Sequence, residues 1–84
     1  MESTASLSDL HKSIKACARA LALRHPRIEV EQMPMGIYAS LTHIENGMEV
    51  LYVGVSDENF TSQIEALRYL DAVMRTDVEE AYNA

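Results

Sequence analysis

The sequence is poor in the residues that cross-link or interrupt a small fold. Its 84 residues include one cysteine, Cys17, no tryptophan, three glycines and two prolines. A single cysteine excludes an internal disulfide and favours a reducing, cytoplasmic setting. No apolar run reaches bilayer length, and the N-terminus lacks the basic start and apolar stretch of a secretory signal. We therefore expect one cytoplasmic domain, residues 1–84, that folds around its own apolar core.

Positive charge is scarce beyond the first third of the chain. Residues 1–27 hold five basic and two acidic residues, a net charge of +3. Residues 28–84 hold eleven Asp or Glu against Arg68 and Arg75, a net charge of −9. With a total of −6, the protein is not expected to bind phosphate backbones or anionic membranes non-specifically. The acidic body indicates either simple solubility or a surface for a basic partner.

Candidate catalytic and metal-binding groups are isolated from one another. His11, His25 and His43 lie on different predicted elements, and no serine or cysteine has a base beside it. There is no Cys-x-x-Cys and no histidine pair at helical spacing, so no zinc site is predicted. Residues 57–59 resemble the start of a calcium loop, but Arg68 occupies the place of its acidic twelfth residue. We therefore expect a non-enzymatic protein without cofactor or metal.

The first predicted helix is amphipathic and basic. Ser6 is the candidate N-cap, and Pro26 is expected to end the helix because the residue before a proline is pushed out of helical geometry. His25 would then cap or pack the end of this helix, and a buried Cys17 would be inert. The apolar stripe has helical spacing and consists of Leu7, Leu10, Ile14, Cys17, Ala18 and Leu21. The basic flank consists of Lys12, Lys15 and Arg19.

Three strands and a second helix are predicted to follow. A short strand over 27–31, in which Ile28 and Val30 alternate with charged residues, precedes longer strands over 37–44 and 48–55, with turn residues between them. The apolar stripe of the last helix is Phe60, Ile64, Leu67, Leu70, Met74, Val78 and Ala81. The order α-β-β-β-α predicts an α+β domain that has a three-stranded antiparallel sheet with both helices on one face.

The last helix contains two further signals. It begins between Asp57 and Ser62, where several capping residues compete. Asp71 lies within about one turn of Arg68 and Arg75, so the three side chains are expected to form a charge triad. A capping box formed by Thr76 and Glu79 predicts a break or kink near Thr76.

The register of the second hairpin decides which residues share a face. A two-residue Asn46-Gly47 loop would put Leu41 opposite Tyr52. A three-residue loop, with Gly47 in the left-handed conformation, instead pairs Ile37, Ala39 and Leu41 with Val55, Val53 and Leu51. We expect the three-residue loop because it gathers these apolar residues on one face.

The sheet face away from the helices is then a candidate partner surface. In the expected register it carries Tyr38, Ser40, Thr42, Ile44, Met48, Val50 and Tyr52, with Glu29 and Glu31 from the first strand. Tyrosines and apolar groups beside carboxylates on an uncovered sheet are typical of a partner surface, although antiparallel sheets often leave a half-polar face in water.

The chain resembles small phage-encoded inhibitors, anti-CRISPR proteins among them. The resemblance rests on the acidic body from Glu29 to Glu80 and on the segment Val53-Gly54-Val55-Ser56-Asp57-Glu58, which leads into a long final helix. The resemblance implies a stoichiometric inhibitor in the host cytoplasm that occludes a basic, nucleic-acid-binding surface of a nucleoprotein effector. The candidate partner-binding residues are Glu29, Glu31, Tyr38, Tyr52, Glu65, Tyr69, Glu79 and Glu80.

Two other functions stay open. A homodimer that buries the tyrosine face would act as a structural, assembly or chaperone-like adaptor. A nucleic-acid-binding regulator would use the basic first helix, because α-β-β-β-α is also the element order of double-stranded RNA-binding domains. Those domains begin their last helix with lysines, whereas this chain has Ser56-Asp57-Glu58-Asn59 there, so direct nucleic-acid binding is not expected.

Overall fold

The computed structural model describes residues 6–83, and its elements follow the predicted order. Helix α1 spans Leu7–Ala20, strands β1, β2 and β3 span Arg24–Met33, Gly36–Glu45 and Met48–Asp57, and helix α2 spans Gln63–Asn83. The strands form one antiparallel sheet in the order β1-β2-β3. The predicted α+β domain is confirmed. Among residues 6–83, no helix combines the length and apolarity needed to cross a membrane.

The core lies between the two helices and one face of the sheet. Its buried apolar side chains are Leu10, Ile14, Ala18, Ile37, Ala39, Leu41, Val55, Ala66, Leu67, Leu70 and Met74. Strand β1 adds the half-buried Ile28 and Val30. Three alanines with no exposed surface, one each from α1, β2 and α2, let the layers approach closely because they have no bulk beyond Cβ.

Helix α1 begins at the predicted cap and ends before the predicted stop. The Ser6 hydroxyl accepts a hydrogen bond from the Asp9 amide at 3.1 Å, and the Asp9 carboxylate accepts one from the Ser6 amide. At the other end, Ala22 has a φ of +62°. The Leu23 amide donates to the Ala18 carbonyl at 2.9 Å, which is the hydrogen bond of a Schellman cap.

The prediction that Pro26 ends this helix was therefore wrong. The Schellman cap reverses the chain so that Leu21 and Leu23 both pack against the core. Pro26 lies within β1, an edge strand in which its missing N–H removes no ladder bond to a neighbour on the open side. His25 is exposed in the same strand with a φ of +51°, and it neither caps nor packs α1. The pairing of β1 with β2 is irregular between Arg24 and Arg27.

The β2–β3 hairpin has a two-residue turn, so the expected three-residue loop was wrong. Glu45 pairs with Met48, and Asn46 and Gly47 have φ angles of 56° and 79°. These left-handed angles are those of a type I′ turn, which matches the twist of the flanking strands. A bulge at Tyr52 then shifts the register by one residue.

This bulge determines which residues face the helices. After it, Leu41 pairs with Val53 and Ala39 with Val55, so these residues share the core face as expected. Before it, Thr42 pairs with Leu51 and His43 with Val50. Leu51 therefore lies on the open face and is 57% exposed, whereas Met48, Val50 and Tyr52 lie on the helix side and not on the predicted open face.

Helix α2 is continuous, so the break predicted at Thr76 is absent. The Thr76 hydroxyl donates to the Ala72 carbonyl at 3.0 Å, one turn earlier, and so does not cap a new helix. The helix begins at Gln63 with the Ser62 hydroxyl accepting from the Glu65 amide, and Phe60 of the predicted stripe precedes it. Most other residues of the stripe are buried or half-buried, but Ala81 is exposed.

Candidate partner-binding surface

The open face of the sheet consists of cross-strand rows of side chains. The rows are Arg24, Ile44 and Glu49; then Arg27, Thr42 and Leu51; then Glu29, Ser40 and Gly54; then Glu31, Tyr38 and Ser56; and finally Met33 with Gly36. No helix of the described chain covers this face, since both helices pack on the other side. The two ends of the face differ, because one holds Arg24 and Arg27 and the other is acidic and apolar.

An ion-pair network crosses the first rows. Arg27 Nη2 lies 2.9 Å from the Glu29 carboxylate, and Nη1 lies 3.6 Å from that of Glu49 on β3. The Thr42 hydroxyl donates to Glu49 at 2.7 Å. Exposed pairs of this kind contribute little to stability. Their consequence is electrostatic, because the charge of Glu29, a predicted partner-binding residue, is largely balanced by Arg27.

The ring of Tyr38 lies over Gly54. A Cβ atom at Gly54 would fall 2.8 Å from the ring carbons Cε1 and Cζ, so a side chain there would displace the end of the ring. The neighbouring Ser40 is buried, whereas Gly54 itself stays exposed. Tyr38 is therefore a half-buried aromatic surface that lies against the sheet.

A depression of about 360 Å³ lies at the acidic end of the open face. Its lining consists of Met33, Pro34, Met35, Gly36, Tyr38, Ser56, Asp57 and Glu58, and we call it the Tyr38 pocket. Gly36 has a φ of +132°, and a Cβ there would lie 2.7 Å from the Asp57 carbonyl oxygen. Glycine thus lets the β1–β2 turn approach the end of β3 and close the pocket on one side.

The eight predicted partner-binding residues do not form one surface. Glu29, Glu31 and Tyr38 lie on the open face as expected. The placement of Tyr52 there was wrong, because the bulge turns it toward α2, where its hydroxyl donates to Asp77 Oδ2 at 3.0 Å. Burial first, then this hydrogen bond and the charge of Asp77, raise the pKa of the Tyr52 phenol.

The remaining four belong to α2, on the other side of the molecule. Glu65 accepts hydrogen bonds from the amide and hydroxyl of Thr61, at 2.7 and 3.0 Å, and these bonds lower the pKa of its carboxyl. Tyr69 packs against Phe60, with ring centroids 5.7 Å apart. Glu79 and Glu80 are exposed and form no ion pair with any residue between Ser6 and Asn83.

Sequence reasoning missed two residues of the open face, whereas the alternation of the first strand placed Arg27 on the same side as Glu29 and Glu31. Leu51 was assigned to the core, and only the bulge at Tyr52 moves it outward. Met35 was read only as part of a turn, although an apolar residue beside Pro34 and Gly36 at a hairpin tip is a usable sign of an exposed contact.

Outside the open face, the Cys17 thiol is a nucleophilic group with a shifted pKa. Burial and the nearby Asp71 charge raise the pKa of the Cys17 thiol, and Arg75 only partly opposes them. Across residues 6–83, no three His, Cys, Asp or Glu side chains are grouped closely enough to hold a metal ion. The open face is thus the best-developed candidate surface in this part of the chain.

Comparison of the chain with protein-family models, with curated proteins and with solved structures found no match. The function is therefore inferred from the geometry and charge of the open face.

Proposed function

We propose that this chain is a non-enzymatic protein-binding module that uses the open face of its sheet to occlude a basic, nucleic-acid-binding surface of a partner protein. The supporting observation is that both helices cover one sheet face and leave Tyr38 and Leu51 accessible among carboxylates on the other. A nucleoprotein effector of host defence, such as a CRISPR complex, has a surface of this kind, and the module would inhibit it stoichiometrically.

The apolar groups supply the affinity. Leu51 is 57% exposed, and Met33 and Met35 at the end of the face are 43% and 78% exposed. Full burial of one such side chain contributes roughly 1.5–3 kcal/mol. Aromatic anchors add to this, and Tyr38 lies on this face.

The size of the face shows that the turns must take part. Strands of ten residues at usual rises and spacings present a face of roughly 33 by 14 Å, or roughly 450 Å². A standard interface buries about 800 Å² on each partner. The Pro34-Met35 turn and the segment that contains Glu58 extend the face at its acidic end, toward the Tyr38 pocket.

The charges at the acidic end of the face select a basic partner. The two arginines of the face, Arg24 and Arg27, lie at the opposite end, and Arg27 is paired with Glu29 and Glu49. Glu31, in the next row, forms no ion pair with any residue between Ser6 and Asn83. Association with a basic surface would therefore be accelerated at low salt and slowed as salt screens the carboxylates.

The test is affinity capture with the purified chain at low and high salt, repeated with charge-matched variants. Glu31→Lys changes the open face, and Glu80→Lys makes the same change on α2. Capture of a stoichiometric, nucleic-acid-handling partner is expected, with affinity about tenfold or more weaker for Glu31→Lys and nearly unchanged for Glu80→Lys. Leu51→Asp should also weaken binding. The reverse ranking would assign binding to α2 and overturn the proposal, as would recovery of only a homodimer.

A further inference from the structure

The Tyr38 pocket combines an aromatic ring, flexible apolar walls and carboxylates. Met33 and Met35 provide unbranched, polarizable side chains that adapt to the shape of a bound group. Tyr38 provides a ring that lies over Gly54. With a volume of about 360 Å³, the depression is near the lower end of the roughly 300–1,000 Å³ typical of ligand pockets. It therefore suits one side chain better than a cofactor.

The polar groups of the pocket have unused hydrogen-bonding capacity. Asp57 pairs with the core-facing Ile37, so it contributes its backbone to the pocket, and its Oδ1 accepts from the Asn59 amide at 2.8 Å. Among residues 6–83, neither the Glu58 carboxylate nor the Tyr38 hydroxyl forms a hydrogen bond. Acceptors beside an aromatic face are the groups that a partner's donor-rich cation can use.

The local charge is negative on more than one side of the ring. Asp57 and Glu58 lie in the pocket wall, and Glu31 is the direct cross-strand neighbour of Tyr38 on the same face. No lysine or arginine lines the pocket. The nearest cation in the rows of the open face is Arg27, two rows away, roughly 13 Å along the strand. It is also engaged by Glu29.

An arginine side chain complements the aromatic ring, the carboxylates and the methionines of this pocket. Its planar guanidinium stacks on an aromatic ring, its five N–H groups donate to a carboxylate, and its alkyl stem packs against methionines. A lysine ammonium is a compact, strongly hydrated charge that cannot stack in this way. A phosphate or carboxylate would be repelled by Asp57 and Glu58.

We infer that the Tyr38 pocket receives a single arginine side chain of the partner protein, stacked on Tyr38 and hydrogen-bonded to Glu58. The inference rests on the proposed function, because it names the contact through which the open face recognises a basic surface. It makes this pocket the anchor of the interface, with Leu51 at the far end as a separate apolar contact.

The test uses the full chain, ¹⁵N-labelled, titrated with acetyl-Gly-Arg-Gly-amide and followed by backbone amide shifts. The control peptide carries citrulline, which keeps the shape of arginine without its charge. Shifts are expected at residues 35–38 and 56–58, and binding of the citrulline peptide should be about tenfold or more weaker. The lysine peptide should bind more weakly than the arginine peptide.

Variants of the chain localise the site. Glu58→Gln should weaken arginine-peptide binding about threefold or more, whereas Glu80→Gln, the same change on α2, should leave it unchanged. Tyr38→Leu should weaken it as well, and its amide spectrum shows whether the sheet is still folded. Equal binding of the citrulline peptide, shifts centred on Glu79 and Glu80, or no shift at the solubility limit of the peptide would each overturn the inference.

The same variants separate this inference from the proposed function. If Leu51→Asp and Glu31→Lys weaken the captured complex but Glu58→Gln and Tyr38→Leu do not, the open face binds the partner without an arginine in the pocket. If the arginine peptide binds as expected and no partner is captured, the pocket is supported and the proposed function is not.

Discussion

The hydroxyl of Ser13 on α1 donates a 2.6 Å hydrogen bond to Asp71 Oδ1 on α2, and so joins residues 58 positions apart. Arg75 Nε donates to Asp71 Oδ2 at 3.0 Å, and Arg75 Nη2 donates to the Ser13 oxygen at 3.0 Å, which closes a triangle between the helices. Asp71 is only 9% exposed, so these bonds satisfy a carboxylate that water scarcely reaches.

Removing this carboxylate should destabilise the helix pair. Asp71→Ala leaves the donors of Ser13 and Arg75 without their acceptor, and we expect a loss of about 1–3 kcal/mol in the free energy of unfolding. Urea unfolding at pH 7 measures it, with Ser8→Ala, exposed on the same helix as Ser13, as the control. The Ser13→Ala and Asp71→Ala changes should be non-additive by about 0.5 kcal/mol or more. Strict additivity would show that the bond contributes nothing to stability.

Gly54 should tolerate a methyl group better when the Tyr38 ring is absent. Gly54→Ala places a Cβ against the end of the ring, and turning the ring away from its rotamer costs about 0.5–1.5 kcal/mol. In a Tyr38→Ala background the cost should largely disappear. Gly47→Ala serves as the control, because its cost comes from a φ of +79° with no atom within 4 Å, and should be equal in both backgrounds. An unchanged cost of Gly54→Ala in both backgrounds would contradict the contact.

Stability should fall at alkaline pH partly through Tyr52. Its pKa is raised in the folded state from an ordinary value of 10.0, so below pH 10 the phenol is protonated in both states and its contribution is complete. Above that pH the unfolded chain releases the proton first, and stability is lost as the pH rises through the folded pKa. Urea midpoints between pH 8 and about pH 11 measure the decline.

Tyr52→Phe should flatten this alkaline decline. At pH 8 the variant should also be about 0.5–1.5 kcal/mol less stable, because it loses the hydrogen bond to Asp77. Tyr69→Phe is the matched control. Because Tyr69 is exposed, this substitution should leave both the alkaline decline and the stability at pH 8 unchanged. A decline as steep in the Tyr52 variant as in the parent would assign the effect to other groups.

The Cys17 thiol should react several-fold more slowly in the folded chain than in the unfolded chain. Burial and the Asp71 charge raise its pKa, which lowers the fraction of the reactive thiolate at pH 8, and half-burial also restricts access. The rate with an aromatic disulfide reagent, with and without guanidinium, measures this. A Ser8→Cys/Cys17→Ser chain should react at similar rates in both states. Equal folded and unfolded rates for Cys17 would mean that it is not shielded.

The sequence predicted the face of a candidate-site residue only where alternation within a single strand is enough to assign it. Alternation along β1 and β2 places Glu29, Glu31 and Tyr38 on the open face, and the structure agrees. Predicting the face of Tyr52 would have required knowledge of the bulge in β3, and nothing in residues 48–55 signals that bulge. The Tyr38 pocket could not be predicted, because it forms where the β1–β2 turn meets the end of β3, and these two segments are distant in sequence.

The sequence alone determined the element order, most of both apolar stripes and the segregation of charge, because periodicity and capping act over a few neighbouring residues. The tertiary structure decided where α1 ends, since burial of both Leu21 and Leu23 favours a Schellman cap long before Pro26. It also decided that Asp71 pairs with Ser13 and Arg75, with no ion pair to Arg68 among residues 6–83. These outcomes depend on which surfaces meet, and local sequence patterns do not contain that information.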